Sequence, residues 1–181
     1  MRSTLIAKRY AKALFAVGQE ENAFDEYVKI MDEMAKLYND LPEVRDALTN
    51  FLYPLDVRTK VMEQLVKALG ASEIMTRFMN LLVQKKRADV IPDIAVTFAA
   101  MVDAERNICR GTVVSAMPLS DDLKAKVQAT LETIIHKKVV LTSQVDPGII
   151  GGIVAKVGDL VLDGSIKTQL SGLKESIKGS E

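Results

Sequence analysis

The sequence predicts a mainly α-helical protein in which an N-terminal six-helix bundle is followed by a small α+β domain. Apolar residues recur three and four positions apart through residues 4–105, which is the spacing of helices buried on one side. Capping and helix-breaking residues divide this stretch into six segments. Beyond Asn107 the periodicity gives way to β-branched segments typical of strands. The predicted domains are therefore residues 1–106 and 107–181.

The composition is ordinary for a globular protein and disfavours several classes of function. Lys and Arg together number 24, as do Asp and Glu, so there is no basic excess to suit a nucleic acid. The sequence has no run of about 18 uncharged apolar residues, so direct insertion into a membrane is not expected. Cys109 is the single cysteine, which excludes an intramolecular disulfide.

The first predicted helix covers residues 4–18 and carries two apolar stripes. Lys8, Arg9 and Lys12 interrupt any secretory apolar segment, so this is predicted to be a mature helix. One stripe comprises Ile6, Tyr10, Ala13, Leu14 and Val17, and a narrower one comprises Ala7, Ala11, Phe15 and Gly18. Either the helix is buried on one side, or its small-residue stripe lets another helix approach closely. Periodicity leaves both interpretations open.

Three further helices follow, each with a predicted boundary residue. Asn22 is expected to cap the second helix, Pro42 to open the third and Asp56 to cap the fourth. Gly70 is expected to follow the fourth helix as its C′ residue. The apolar positions of these helices are Phe24, Tyr27, Val28, Met31, Met34, Leu37 and Tyr38, then Val44 and Leu48, then Val57, Val61, Leu65 and Leu69.

The fifth helix has more apolar residues than one buried stripe requires. Ser72 is its predicted N-cap. Its apolar positions, which cover well over half of the circumference, are Ile74, Met75, Phe78, Met79, Leu81, Leu82 and Val83. Such a helix is either central or half-uncovered until a partner binds. Asp89 is expected to cap the sixth helix, with Ile91 and Pro92 in its first turn.

The second domain is predicted from strand-like segments around a helix. Strands are expected at Thr112–Ala116 and Val139–Leu141, with a helix opened by Ser120 between them. His136 falls at the end of this helix, where a favourable interaction with the helix dipole is expected. The inward positions of the helix are predicted to be Leu123, Val127, Leu131 and Ile134.

A hairpin and a closing helix complete the predicted domain. The hairpin strands are Ile153–Val157 and Leu160–Leu162, joined by a Gly-Asp dipeptide suited to a type II′ turn. A second turn ends the later strand, and its serine is expected to cap the closing helix. The predicted turn residues are Gly158, Asp159, Asp163, Gly164 and Ser165, and the predicted helix stripe is Ile166, Leu170, Leu173 and Ile177.

The sequence shows no recognisable constellation of catalytic or metal-binding residues. The glycine-rich run 147–152 lacks the Lys-Ser/Thr of a phosphate loop and precedes a strand, whereas a phosphate loop precedes a helix. His136 is the single histidine, so neither a zinc site nor a Ser-His-Asp triad is expected. Lys85, Lys86 and Arg87 form a basic cluster that offsets the negative end of the fifth helix. We therefore expect no catalytic residue, no metal and no cofactor.

Four segments, in order along the chain, carry a family resemblance. They are IAKRYAKALF (6–15), KKRADVIPDI (85–94), VVSAMPLS (113–120) and GGIVAKVGDLVLDGSIKTQL (151–170). They resemble motifs of the delta subunit family of F-type ATP synthases, which includes the mitochondrial oligomycin-sensitivity-conferring protein. The basic cluster at residues 85–87 departs from that family's pattern. The resemblance implies a structural adaptor of the stator and not a catalyst.

The resemblance also implies partners and contact residues. The helical domain would grip N-terminal helices of the alpha subunits on the catalytic head, and the second domain would hold the b subunits of the peripheral stalk. The implied groove residues are Tyr10, Ala11, Ala13, Leu14, Phe78, Leu81, Leu82 and Lys85. The implied location is peripheral, at the cytoplasmic face of a bacterial inner membrane, with an organellar origin left open.

A second hypothesis stands beside the adaptor. A small-ligand binding protein or enzyme could use a cleft between the two domains, around Gly111 and the glycine-rich run. The resemblance favours the adaptor.

Overall fold

The computed structural model describes residues 2–158 and 160–170. Within them the protein is mainly helical and contains a small four-stranded sheet. This confirms the predicted mainly α class. The chain divides into two compact units, Met1–Val102 and Asp103–Glu181, and the division lies a few residues before the predicted boundary.

Six α-helices lie in residues 2–105 of the described chain. They are α1 (Arg2–Glu21), α2 (Phe24–Asp40), α3 (Pro42–Thr49), α4 (Leu55–Ala68), α5 (Glu73–Gln84) and α6 (Ile91–Glu105). A short 3-10 helix at Ala88–Val90 precedes α6. None of the helices in the described residues has the length and hydropathy needed to cross a membrane.

Three of the predicted N-caps are wrong. Asn22 has φ 53 and follows the end of α1, because asparagine enters the left-handed region readily, and α2 begins only at Phe24. Asp56 lies in the first turn of α4, because the helix begins one residue earlier, at Leu55, after the extended N-cap Pro54. Asp89 lies in the 3-10 helix that precedes α6.

Other predicted boundaries are confirmed. Pro42 occupies the first position of α3, and Gly70 follows α4 with φ +69, as a C′ glycine does. Ser72 is the N-cap of α5, although its hydroxyl accepts no bond from the helix. Its amide instead donates to Oε1 of Glu26 at 3.0 Å, which ties the start of α5 to α2.

The core of the first unit decides between the two interpretations of α1. The small residues Ala7, Ala11 and Gly18 are buried together with Leu14. A methyl group at Gly18 would lie 3.1 Å from the ring of Phe24. The small-residue stripe therefore lets the chain's own α2 approach closely. The largest fully buried side chains are Leu14, Tyr27, Met31, Met34, Leu48, Met62, Met75, Met79, Leu82, Ile91, Ile94 and Phe98.

The second unit is built on a sheet with strand order β2-β1-β3-β4. Its elements are β1 (Ile108–Ser115), α7 (Asp121–Ile135), β2 (Lys138–Val145), β3 (Ile153–Val157) and β4 (Leu160–Asp163). β1 and β2 are parallel, and α7 connects them. β3 pairs antiparallel with both β1 and β4.

β1 begins four residues before the predicted segment 112–116 and ends one residue before its predicted end, and β2 extends beyond the predicted segment 139–141 on both sides. Their pairing begins with Ile108 opposite Lys138 and continues for the full length of both strands. The extra residues of β2 are mostly polar and exposed. Pairing with β1, and not an apolar pattern, therefore keeps them in the strand.

α7 packs on the sheet through a narrower stripe than predicted. Ser120 is its N-cap as expected, and the hydroxyl accepts a bond from the amide of Leu123 at 3.4 Å. The predicted burial of Leu123 and Ile134 is wrong, because both are about half exposed. Leu131 is buried and Val127 and Ile135 are partly buried against the same cluster, since a small sheet covers only a narrow row of helix side chains.

β3 and β4 form a hairpin in which Val157 pairs with Leu160. Gly158, in the connection, has φ +58, a conformation that side-chain-bearing residues seldom adopt. Asp159 lies outside the described residues.

The closing helix departs from its predicted packing where it is described. Residues 166–170 include its helical start. Ile166 and Leu170, two positions of the predicted buried stripe, are about half exposed. Leu173 and Ile177, the other two positions, lie outside the described residues.

Candidate partner-binding surface

α5 is buried on one side and uncovered on the other. Its buried side chains are Met75, Met79, Leu82 and Val83. Ile74 and Phe78 are only half-buried, and Leu81 is 39% exposed. With the exposed Lys85 they follow one another at spacings of four, three and four residues, so they form a stripe along the helix. The apolar residues that the fifth helix has in excess of one buried stripe are therefore those of this uncovered stripe.

α1 presents a similar stripe beside its fully buried one. Ile6, Tyr10 and Val17 are half-buried and Ala13 is exposed. These residues also recur at four, three and four, as neighbours on one helix face do. Apart from Leu14, which is buried, the wider of the two stripes predicted for this helix therefore reaches the surface.

An aromatic contact joins the two stripes. The rings of Tyr10 and Phe78 meet edge to face, with centroids 6.4 Å apart and planes at 74°. This is a favoured geometry for aromatic pairs, because the positive ring edge of one faces the negative face of the other. The joined stripes are called the α1–α5 surface, and its apolar residues are Ile6, Tyr10, Ala13, Val17, Ile74, Phe78 and Leu81.

The groove residues implied by the resemblance fall into two sets. Ala11, Leu14 and Leu82 are buried in the core of the first unit, so they offer no accessible surface to a partner. The accessible residues are Tyr10, Ala13, Phe78, Leu81 and Lys85. The buried set supports the accessible one from beneath.

Ile6, Val17 and Ile74 belong to the α1–α5 surface but not to the implied groove set. Ile6 and Ile74 each precede an aromatic residue of the surface, Tyr10 or Phe78, by four residues. The repeat of four is therefore the sequence signal that places Ile6 and Ile74 on the same helix faces as the aromatic residues, one turn earlier.

The second unit also exposes apolar side chains. Val161 and Leu162 lie on β4, which is an edge strand, and Ile166 and Leu170 follow it. An edge strand presents unpaired backbone groups as well as its side chains, and this favours association with another chain. These four residues are called the β4 surface.

A hydrogen-bond network holds the turn between β4 and the helix that follows. Oδ1 of Asp163 accepts the amide of Ser165 at 2.9 Å, and Oδ2 accepts the hydroxyl of Thr168 at 2.7 Å. The Ser165 hydroxyl oxygen in turn accepts the amide of Thr168 at 3.2 Å, as an N-cap does. Donation from the Ser165 amide, and then from Thr168, favours the charged carboxylate and lowers the pKa of Asp163.

The glycine-rich run is organised by a carboxylate. Oδ1 of Asp146 accepts the amide of Gly148 at 2.8 Å, and Pro147–Ile149 forms a 3-10 turn. A phosphate loop binds its ligand through free backbone amides, whereas here the Asp146 carboxylate already accepts one of these amides. This run therefore does not suit a phosphate. Among the described residues, no group of three or more His, Cys, Asp or Glu side chains is placed to hold a metal ion.

Comparison with known proteins agrees with the adaptor and not with an enzyme. The family model for the ATP synthase delta (OSCP) subunit matches residues 6–177. The chain belongs to this family. The ATP synthase subunit delta of Desulfotalea psychrophila is 56% identical over 181 residues, which is 100% of both chains. That of Desulfosudis oleivorans is 41% identical and covers 100% of this chain and 99% of its own.

A solved structure shares the fold of the delta family chain. A chain of the cryo-EM structure of the Toxoplasma gondii mitochondrial ATP synthase hexamer superimposes with a TM-score of 0.70 at 24% identity. The match covers 94% of this chain and 96% of the other. Delta (OSCP) subunits are non-catalytic components of the ATP synthase stator, so the prediction of a structural adaptor is confirmed.

Proposed function

We propose that the chain joins the alpha subunits of the catalytic head to the b subunits of the peripheral stalk. Residues 1–106 are a six-helix bundle that binds the head, and residues 107–181 are an α+β domain that binds the stalk. The observation that carries the head assignment is the α1–α5 surface, an apolar strip along two helices joined by Tyr10 and Phe78.

The α1–α5 surface suits an amphipathic helix as its ligand. Helices bind grooves through apolar residues at spacings of three and four, and this surface offers apolar residues at the same spacing on both of its sides. The N-terminal helix of an alpha subunit would place its apolar face on Tyr10, Phe78 and Leu81. Lys85 at the end of the strip would meet a polar or acidic residue of that helix.

The stalk assignment is supported by the β4 surface. Val161 and Leu162 are exposed on opposite faces of the edge strand, and Ile166 and Leu170 are exposed beyond it. A b subunit helix would cover part of this β4 surface. Two separate attachment surfaces are what a stator link requires, because torque on the head must pass through the chain to the stalk.

The chain acts at the membrane through its partners. We place it at the cytoplasmic face of a bacterial inner membrane, and its bacterial relatives support this location. The stalk anchors the chain there while the rotor turns inside the head. The head then stays still, and rotation distorts the catalytic sites instead of turning the whole assembly.

Reconstitution of the synthase tests the proposed function. Membranes from which the chain has been removed should recover proton-driven ATP synthesis when the full chain is added back. The added chain should also bind isolated heads and a fragment of b in separate titrations. Binding to neither partner, with the chain folded, would contradict the proposal.

A further inference from the structure

A pocket of about 310 Å³ lies next to the end of α5. Its lining includes Leu48, Phe51, Arg58, Lys86, Arg87 and Asp89. Three of these side chains are cations and one is a carboxylate, so the pocket carries a net positive charge. It shares no residue with the α1–α5 surface.

Arg58 is the central feature of this pocket. The residue is 5% exposed, and its Nε is buried with no hydrogen-bond partner. Among the described residues its guanidinium makes no ion pair. Arginine cannot lose its proton in a protein, so burial cannot be relieved by neutralisation. A buried cation without an anion is costly, and the pocket is therefore electrostatically incomplete.

Lys86 and Arg87 are held beside the pocket by the way α5 ends. Lys86 has φ 57, and its amide donates to the carbonyl of Val83 at 3.0 Å. The amide of Arg87 donates to the carbonyl of Leu82 at 2.7 Å. These two bonds are those of a Schellman helix end, which fixes the backbone. Both cations therefore extend from a rigid support.

The other side chains of the pocket do not supply the anion that Arg58 lacks. The ring of Phe51 lies 5.4 Å from Cζ of Arg58 and 5.2 Å from Nζ of Lys86. An aromatic face attracts both cations but offers the guanidinium no oxygen acceptor. Asp89 lines the pocket, yet within the described chain no ion pair joins it to Arg58, Lys86 or Arg87.

We propose that this pocket binds a small oxyanion, namely a phosphate or carboxylate group. Two oxygens of such a group accept from the guanidinium of Arg58 in the paired geometry that arginine favours, and Lys86 and Arg87 neutralise the remaining charge. The group belongs either to a free anion or to a molecule that carries a carboxylate. The proposal goes beyond the stator function and does not rest on it.

Titration of the full-length chain followed by nitrogen-15 NMR of arginine side chains tests the proposal. The probes are sodium phosphate, sodium acetate and, at matched ionic strength, sodium chloride. The Nε–H signal of Arg58, assigned with Arg58→Lys, should shift downfield and saturate with at least one oxyanion and not with chloride. Saturation with phosphate alone identifies a phosphate site, and saturation with acetate identifies a carboxylate site. A shift that is the same in all three salts would overturn the proposal.

Variants that keep Arg58 test the pocket without the risk that a replacement of this buried residue disturbs folding. The double variant Lys86→Gln, Arg87→Gln changes two exposed side chains and should weaken oxyanion binding at least about tenfold. Lys60→Gln is the matched control, because Lys60 is an exposed cation of α4 that does not line the pocket. Equal binding in the double variant, or equal weakening in the control, would show that general charge and not this pocket attracts the anion.

Discussion

The ring of Tyr10 rests edge to face on the ring of Phe78, with centroids 6.4 Å apart. Both residues are half-buried, so each packs on the core with one part and reaches the surface with the other. The pair therefore connects α1 to α5 at the centre of the α1–α5 surface. A partner helix that covers this surface would complete the burial of both rings.

The first prediction concerns the apolar strip beside that pair. Leu81→Asp should weaken binding to isolated heads by about 2 kcal/mol or more, because a partner would bury the new carboxylate without a counter-ion. Leu81 is 39% exposed, so the variant should stay folded. Calorimetric titration of the full chain with heads measures the loss.

Val96→Asp provides the matched control for this prediction. Val96 is 73% exposed on α6 and lies outside the α1–α5 surface. The same change of charge there should leave the affinity for heads unaltered. Equal losses in both variants would mean that charge repulsion, and not a specific surface, controls binding.

A second prediction compares two glycines with positive φ. Gly70 has φ +69, and a Cβ at this position would meet nothing within 4 Å, so Gly70→Ala should cost about 1–2 kcal/mol from backbone conformation alone. Gly152 has φ +85, and a Cβ there would lie 2.2 Å from the carbonyl oxygen of Gly164. Gly152→Ala should therefore destabilise its unit more strongly.

Hydrogen exchange read separately in the two units measures this difference. Gly70→Ala should raise exchange moderately in the first unit, and Gly152→Ala strongly in the second. If both changes cost the same, the close approach of Gly152 to Gly164 contributes nothing to stability.

Local signals in the sequence account for the features that were predicted well. The helix ends at Pro42 and Gly70 and the cap at Ser120 each depend on the chemistry of one residue, so a single chain suffices to locate them. The excess apolar residues of α5 likewise predicted a helix that is either central or half-uncovered until a partner binds, and the structure decides for the second alternative. Leu81 shows the exposure that this argument requires.

Features that depend on tertiary packing were not predictable in the same way. Periodicity could not tell which stripe of α1 is buried, because Gly18 and Phe24 decide this by their contact in three dimensions. Ile134 fits a helical stripe, but the narrow sheet does not reach it. Arg58 gave no sequence signal at all, since burial of a cation depends on neighbours that are remote in the chain.

The third prediction is a dependence of stability on pH through Asp163. The pKa of this carboxyl is lowered, first by the Ser165 amide and then by the Thr168 hydroxyl. The unfolded chain therefore takes up a proton at a higher pH than the folded one. The stabilisation by this carboxylate is complete above the unfolded pKa and is lost as the pH falls through the folded pKa.

Asp163→Ala, compared with the native chain, tests this dependence. The variant should lower the thermal midpoint of the second unit at neutral pH, and the difference should shrink as the solution becomes acidic. Asp163→Asn removes the titration while it keeps an acceptor for Ser165. A difference between native and Ala chains that stays constant from neutral to acid pH would contradict the assignment.

The last prediction concerns the hairpin of the second unit. Gly158 has φ +58, and a Cβ added to it would have no neighbour within 4 Å. A clash of the added Cβ therefore does not contribute to the cost of Gly158→Val, which we assign to the backbone conformation. A β-branched residue held there should cost roughly 1–3 kcal/mol, which is a large part of the stability of a small unit. Gly158→Asn is the matched control, because asparagine tolerates this region and should cost less.

The two functions should separate in Gly158→Val. Its first unit should be unaffected, so the variant should bind isolated heads with native affinity. Its second unit should loosen, so binding to a fragment of b should weaken, and reconstituted membranes should lose coupling between proton flow and ATP synthesis. Both affinities are measured on the same preparation of the full chain. If they fall together, the division of labour between the two units is wrong. If neither falls while Gly158→Val is shown to be destabilised, the β4 surface is not where the stalk binds.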